Sequence, residues 1–297
     1  MEAIMWILCA FILSFAAQEQ AAPLPDAANF RTAVPAIVNA MNGSFRWALF
    51  HHDFIPNANE YNYTEKEVSV TQDAAAASET RVYTITRGPE IWQAYRRQLS
   101  RNGNPLTAQE TEQQDRTHER FENNVRAALA KNELQSPSEK KATAEKLRQE
   151  GEAIRNELMA MFEVRVLGRE RIESLPVVLL EVKPKRGYKP KTEFGDIVQN
   201  ISMRVWVTEK DREVVRLTAA IDEKFDEGSV VLEKGADLSV ERRPINGEVW
   251  LPTRIEINNL RTRTNGRLGP RQRVTTEFSD FRKFTVDTVI QPAGPIQ

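Results

Sequence analysis

The sequence predicts a mainly β, α+β fold: a strongly curved antiparallel sheet or half-open β-barrel of about eleven strands, with an N-terminal helix and an inserted helical hairpin. Three observations predict it. From Phe162 almost to the C-terminus, apolar and polar residues alternate with a period of two. Short turn signals separate the alternating stretches, which favours antiparallel neighbours in sequence order. Between Thr107 and Phe162 the pattern is helical instead, and it opens on two capping boxes.

Ile4 to Phe15 is an uncharged apolar run, followed by the small residues Ala16 and Ala17 and the polar Gln18-Glu19-Gln20. That is the length of a signal-peptide core and short for a membrane span, so residues 1–17 are read as a signal peptide and the protein as exported to the periplasm or outer cell envelope of a bacterium. Cys9, the single cysteine, lies inside this run, so no disulfide staples the fold. Residues 18–34 form a flexible Pro/Ala-rich segment. An amphipathic helix covers Pro35 to Asp53, where Ile37, Met41, Phe45, Ala48 and His52 recur at helical spacing, and Pro56 ends it. Strands follow at Tyr61–Thr71, Glu79–Arg87 and Ile91–Ser100, rich in aromatic and β-branched residues, and then a turn at Asn102-Gly103-Asn104-Pro105.

Thr107-Ala-Gln-Glu110 and Ser136-Pro-Ser-Glu139 mark two helix starts, the second with Pro137 where a missing N–H costs nothing. Their narrow apolar stripes, Phe121, Val125 and Leu129 on one and Leu147, Gly151, Ile154, Leu158 and Met161 on the other, suggest a hairpin folded on itself and lying over another surface, read as a solvated coiled pair in preference to a partner-binding helix. Beyond it, Val178, Leu180 and Val182, then Met203, Val205 and Val207, then Val215, Leu217, Ala219 and Ile221, each line one face of a strand. The clearest alternation is Val249, Leu251, Thr253, Ile255 and Ile257. Turns are read at Glu173-Ser174, Glu209-Lys210-Asp211, Asp226-Glu227-Gly228, Gly235 and Asn246-Gly247. The domain plan is one half-barrel over 35–284 with the hairpin inserted at 107–162, and a C-terminal tail at 285–297.

Forty-one basic against 42 acidic residues leave a net charge of −1, which argues against a nucleic-acid binder. Catalysis leaves little trace. His51-His52-Asp53 invites comparison with an acyl-transfer His-His-x-x-x-Asp motif, but Pro56 stands where the aspartate belongs. Only His118 remains as a further histidine, so no metal-ligand grouping forms, and phosphate loops and nucleophile elbows are absent. No cofactor and no enzymatic activity are expected. Two basic stretches stand out: Lys183 to Lys191, stiffened by Pro184 and Pro190, and Arg261 to Arg273, with five arginines and no acid among them. Lys185, Arg186, Lys189, Lys191, Arg261, Arg263 and Arg267 are the candidates for contact with an anionic membrane surface.

The order of elements, together with Trp206, Val215, Arg216 and Leu217 in the stretch Ile201 to Leu217, resembles the outer-membrane lipoprotein-sorting (LolA/LolB-like) superfamily. Tyr61-Asn-Tyr-Thr-Glu-Lys66 and Glu248 to Arg254 are similar to an uncharacterised bacterial branch of it. The resemblance implies a half-open barrel wrapped round helices, holding a lipid or the acyl chain of an acylated protein without covalent chemistry. Phe45, Leu49, Val205, Val207, Leu217, Leu251 and Ile255 would then line the cavity. The alternative is an envelope interaction or sensor protein that binds a protein partner, its cavity plugged by its own helices. Sequence leaves the oligomeric state open.

Overall fold

The computed structural model describes residues 23–50, 60–72, 77–88, 90, 93–133, 137–227 and 230–284, excepting the side chains of 43–50, 132, 133, 137, 225 and 227. Residues 1–17, read above as a signal peptide, His51-His52-Asp53 and residues 285–297 lie outside that set. Five helices are present among the described residues: α1 Ala28–Arg31, α2 Val34–Phe50, α3 Ala108–Glu133, α4 Pro137–Met161 and α5 Glu193–Val198. Thirteen strands accompany them: β1 Tyr61–Thr71, β2 Ser78–Thr86, β3 Tyr95–Arg101, β4 Asn104–Pro105, β5 Phe162–Ile172, β6 Leu175–Pro184, β7 Ile201–Thr208, β8 Val214–Ile221, β9 Phe225–Glu227, β10 Val230–Ile245, β11 Val249–Thr264, β12 Arg267–Leu268 and β13 Gln272–Lys283.

Eleven strands run in one antiparallel path, β4-β3-β2-β1-β13-β11-β10-β8-β7-β6-β5, and β9 and β12 attach to it as short ribbons. The sheet is open and curved, as the alternation predicts. Sequence order fails as a guide where the two ends of the chain meet and across the helical insertion. β13 lies between β1 and β11, so the C-terminal strand joins the N-terminal hairpins to the rest of the sheet. The helical insertion separates β4 from β5 and leaves them at opposite edges.

Bulges bend the long strands. Gly235, read from sequence as a turn, sits inside β10 at φ +84°, where the β10–β11 register shifts between Leu232 and Asp237. A second shift falls between Glu241 and Arg242. Other turns match their residues: Asn102 and Gly103, at φ 51° and 79°, make the two-residue connection that right-twisted strands prefer.

One apolar face of the sheet is covered by the helices. Val34, Ile37, Val38 and Met41 of α2 are buried and face β8, β10 and β11, and Phe30 of α1 joins the same core. Leu158 and Met161 at the end of α4 are also buried there, and the chain passes directly into Phe162 of β5. Each such side chain taken wholly from water stabilises the fold by about 1.5–3 kcal/mol.

Candidate functional site

The row of residues read as a cavity wall is brought together by strand register. Val205 pairs with Leu217, Leu217 with Val240, and Val240 with Ile255, giving a continuous line across β7, β8, β10 and β11. Val205, Val207, Leu251 and Ile255 are 0% exposed and Leu217 1%, all within the core that α2 covers. Val240, 1% exposed, belongs to the row and was missed by the sequence reading because its strand carries polar neighbours on both sides. Phe45 and Leu49 lie on the second half of α2, where side chains are outside the described set.

The first basic stretch is an ordered loop. Gly187 adopts φ +76°, Tyr188 N–H donates to the Lys185 carbonyl, and Lys185 N–H donates to the Met161 carbonyl at the end of α4. Glu157 of α4, 5% exposed, is its anchor. Its carboxylate accepts from the backbone N–H groups of Lys191 and Thr192 and from the Thr192 hydroxyl. Thr192 in turn caps α5 by accepting from Gly195 N–H, a short helix the sequence analysis did not foresee although Thr192 followed by Glu193 and Asp196 is an N-terminal signal. The Lys185 ammonium donates to the Ala160 carbonyl, while Arg186, Lys189 and Lys191 stand exposed.

The second basic stretch carries its counter-charges in space, not in sequence. Arg263 makes a two-pronged pair with Asp226 at 3.0 Å, and Arg261 and Arg271 both reach Glu233, at 3.0 and 2.7 Å. Hydrogen bonds from Arg263 and then Lys224 hold the Asp226 carboxyl down at about 2. Those from Arg271 and Arg261 hold Glu233 below the ordinary carboxylate range. Arg267 sits exposed on β12 beyond the Asn265-Gly266 turn.

The helical insertion touches the sheet at its first turns. The Thr107–Glu110 capping box forms as predicted: Thr107 N–H donates to the Glu110 carboxylate and Glu110 N–H to the Thr107 hydroxyl. His118 stacks on Tyr95 at 4.1 Å, and Asp115 accepts from the Tyr95 hydroxyl at 2.7 Å and from Arg97 at 2.8 Å. The Tyr95 hydroxyl lowers the Asp115 pKa, and burial first, then Asp115, pushes that of Tyr95 up. The Gln114 carboxamide accepts from Gln98 N–H and donates to the Gln98 carbonyl, supplying to β3 the pair of bonds a further strand would make. Past this point the helices meet water. Every residue of 126–131 and 138–153 is exposed, and so are Phe121 (50%), Leu129 (42%) and Leu147 (64%). The expectation that the stripes bury one another is therefore corrected: only the ends near the sheet, such as Leu158 and Met161, find apolar partners.

A buried charge cluster escaped the sequence reading altogether. Glu65, 0% exposed, accepts from Arg96, whose guanidinium lies 3.4 Å over the ring of Tyr83. Glu65 and Glu67 continue the inward face begun by Tyr61 and Tyr63, so the concave surface changes from apolar to ionic along β1. Three cavities open beside these elements: about 680 Å³ between β3 and α3, 450 Å³ between α2 and the β7–β8 hairpin, and 390 Å³ at the first basic loop. Among the described residues no cluster of His, Cys, Asp and Glu could hold a metal ion, and no helix is long and apolar enough to cross a membrane.

No protein-family model and no curated protein matches the chain. Solved structures do align along its length. A DUF1329 family protein from Desulfovibrio piger is 10% identical, with 90% of this chain and 96% of that one covered and a TM-score of 0.31. A LolA superfamily protein from Nitrosomonas europaea is 12% identical over 81% and 94% of the two chains, with a TM-score of 0.26. An outer membrane lipoprotein-sorting protein domain from Vibrio parahaemolyticus is 10% identical over 86% and 96%, with a TM-score of 0.28.

Proposed function

We propose that this is an exported, non-catalytic envelope protein that binds a protein partner, with the curved sheet as a frame plugged by its own helices and the α3–α4 pair as the docking element. One observation carries the proposal: the apolar concave row is filled by α2, while Phe121, Leu129 and Leu147 are left exposed on helices otherwise covered in charge. Phe121, Val125 and Leu129 recur every four residues, so the matching partner surface is an amphipathic helix with an apolar stripe. Exposed Arg186, Lys189 and Lys191, on a loop anchored to α4, would hold the same face near an anionic membrane surface.

The resemblance to acyl carriers supports a second reading, in which a lipid or acyl chain occupies the concave face and Phe45, Leu49, Val205, Val207, Leu217, Leu251 and Ile255 form its wall. That reading requires α2 to leave the row it covers. Cross-linking in the native envelope, followed by mass spectrometry for both protein and lipid, separates the two. Partner capture that Leu129→Asp and Leu147→Asp abolish, with no stoichiometric lipid, supports the docking element. Stoichiometric lipid with no partner overturns it in favour of the carrier.

A further inference from the structure

The sheet has two edges, and the chain treats them differently. At one, β3 is partly covered by the β4 ribbon, and the Gln114 carboxamide takes the bonds that a further strand would make to Gln98. At the other, β5 pairs with β6 alone. Natural sheets commonly blunt such an edge with lysine, proline or a covering element, because its unpaired N–H and C=O groups invite another strand. The first stretch of β5, Phe162 to Val166, carries neither lysine nor proline. The nearby segment Pro23–Arg31 is tied to this region by side chains, Arg169 to the Pro23 carbonyl and Arg31 to the Met159 carbonyl, with Phe30 sunk in the core. Among the described residues, no backbone hydrogen bond from it reaches 162–166.

The phase of the ladder fixes which groups β6 leaves over. Lys185 N–H donates to the Met161 carbonyl, and in the same register Glu163 stands opposite Lys183 and Arg165 opposite Glu181. In an antiparallel pair such bonds recur at every second residue, so Glu163 and Arg165 bond to β6 and the backbone groups of Phe162, Val164 and Val166 point away from it. The side chains alternate too. Phe162 is buried and Val164 and Val166 are half-buried on the core side, whereas Glu163 and Arg165 are exposed on the outer side. Glu163 enters no ion pair among the described residues. Arg165, 73% exposed, lies 3.6 Å from Glu181, a carboxylate that Lys183 already holds at 2.6 Å.

We propose that this edge pairs with β5 of a second copy of the chain, antiparallel about a two-fold axis at Val164. In that register Val164 meets its own counterpart, Phe162 meets Val166, and Glu163 meets Arg165 in both directions. The outward backbone groups from Phe162 to Val166 are then satisfied, with the apolar residues on one face and the opposite charges on the other. Moving the axis by one residue sets Arg165 against Arg165 or Glu163 against Glu163, and like charges directly opposite one another destabilise a pair. The end of α4 at Met161 and the register shift between Val166 and Gly168 bound the segment on its two sides. This edge is separate from the exposed stripes of α3 and α4, so either proposal can fail without the other.

Sedimentation equilibrium of the full chain, purified after export, tests it at concentrations up to about 200 μM, since a small interface makes a weak dimer. A monomer–dimer equilibrium is expected. Glu163→Arg and Arg165→Glu each place like charges opposite one another and weaken the dimer by at least about tenfold. Mixed in equal amounts, the two variants restore it, because each supplies the charge the other lacks, and so does the double variant carrying both changes. Val164→Pro removes an N–H that the fold does not use, so it leaves the chain folded and abolishes dimerisation. A monomer at every concentration, a dimer unweakened by Glu163→Arg or by Val164→Pro, or single variants whose mixture stays monomeric each overturns the proposal.

Discussion

Replacing Glu157 by alanine should release the basic loop from the helical insertion. The carboxylate is buried and accepts three hydrogen bonds, two of them from backbone N–H groups. A hydrogen bond to a charged group contributes about 1.5–3 kcal/mol, but Lys191 lies at the surface and its N–H can return to water. The net cost of Glu157→Ala is therefore about 3 kcal/mol. Glu157→Gln, which keeps one acceptor oxygen, should cost about 1 kcal/mol. Gly195 offers a second handle, because a Cβ there would meet Glu157 Oε2 at 2.5 Å. Gly195→Ala should cost about 1–3 kcal/mol alone and markedly less in the Glu157→Ala background, where the obstructing oxygen is absent. Urea unfolding followed by tryptophan fluorescence gives the energies, and hydrogen exchange at the Lys191 and Thr192 amides gives their location. A cost for Glu157→Ala below about 0.5 kcal/mol, with both amides still protected, would refute the anchoring role.

Three further outcomes are expected. Leu217→Ala should destabilise by about 2–5 kcal/mol in urea, as a packed core leucine does; a leucine lining an open ligand cavity would lose far less. Asp115 is depressed in the folded state, so the stabilisation it gives through Tyr95 and Arg97 is complete above the unfolded value, about 3.9, and disappears as pH falls through the folded one. Hydrogen exchange in α3 should accordingly rise on acidification below about pH 4, and Asp115→Asn should flatten that dependence. Asp226, measured by carbon-detected NMR titration, should ionise at about 2, and Arg263→Ala should return it towards the ordinary aspartate value of about 3.9. Persistence of the low value in that variant would show that Arg263 is not its cause.

The proposed binding modes share a physical origin. A curved sheet with an apolar inner face must cover that face, and here α1, α2 and the end of α4 do so from within the chain. Among the described residues, the exposed length of α3 and α4, the basic loop, and the gaps beside α3 and α2 remain open to a ligand or partner.

Sequence by itself determined what is local. The two-residue period placed most long strands, Thr107 and Glu110 defined the start of α3, Pro137 opened α4, and Asn102-Gly103 formed the turn its residues prescribe. Each of those signals acts over a few residues, through φ preference, capping or side-chain alternation, so no distant part of the chain is needed to read it. The tertiary structure alone decided the rest. It set β13 between β1 and β11, turned Gly235 from a turn into a bulge, and left Phe121, Leu129 and Leu147 of the α3 and α4 stripes in water. It also brought Asp226 and Glu233 to the arginines of 261–271, buried Glu65 under Arg96, and put Arg242 at the edge of a cavity. These are pairings between residues far apart in sequence, fixed by strand register and by which helix covers the sheet, and charge or period along a single chain carries no record of them.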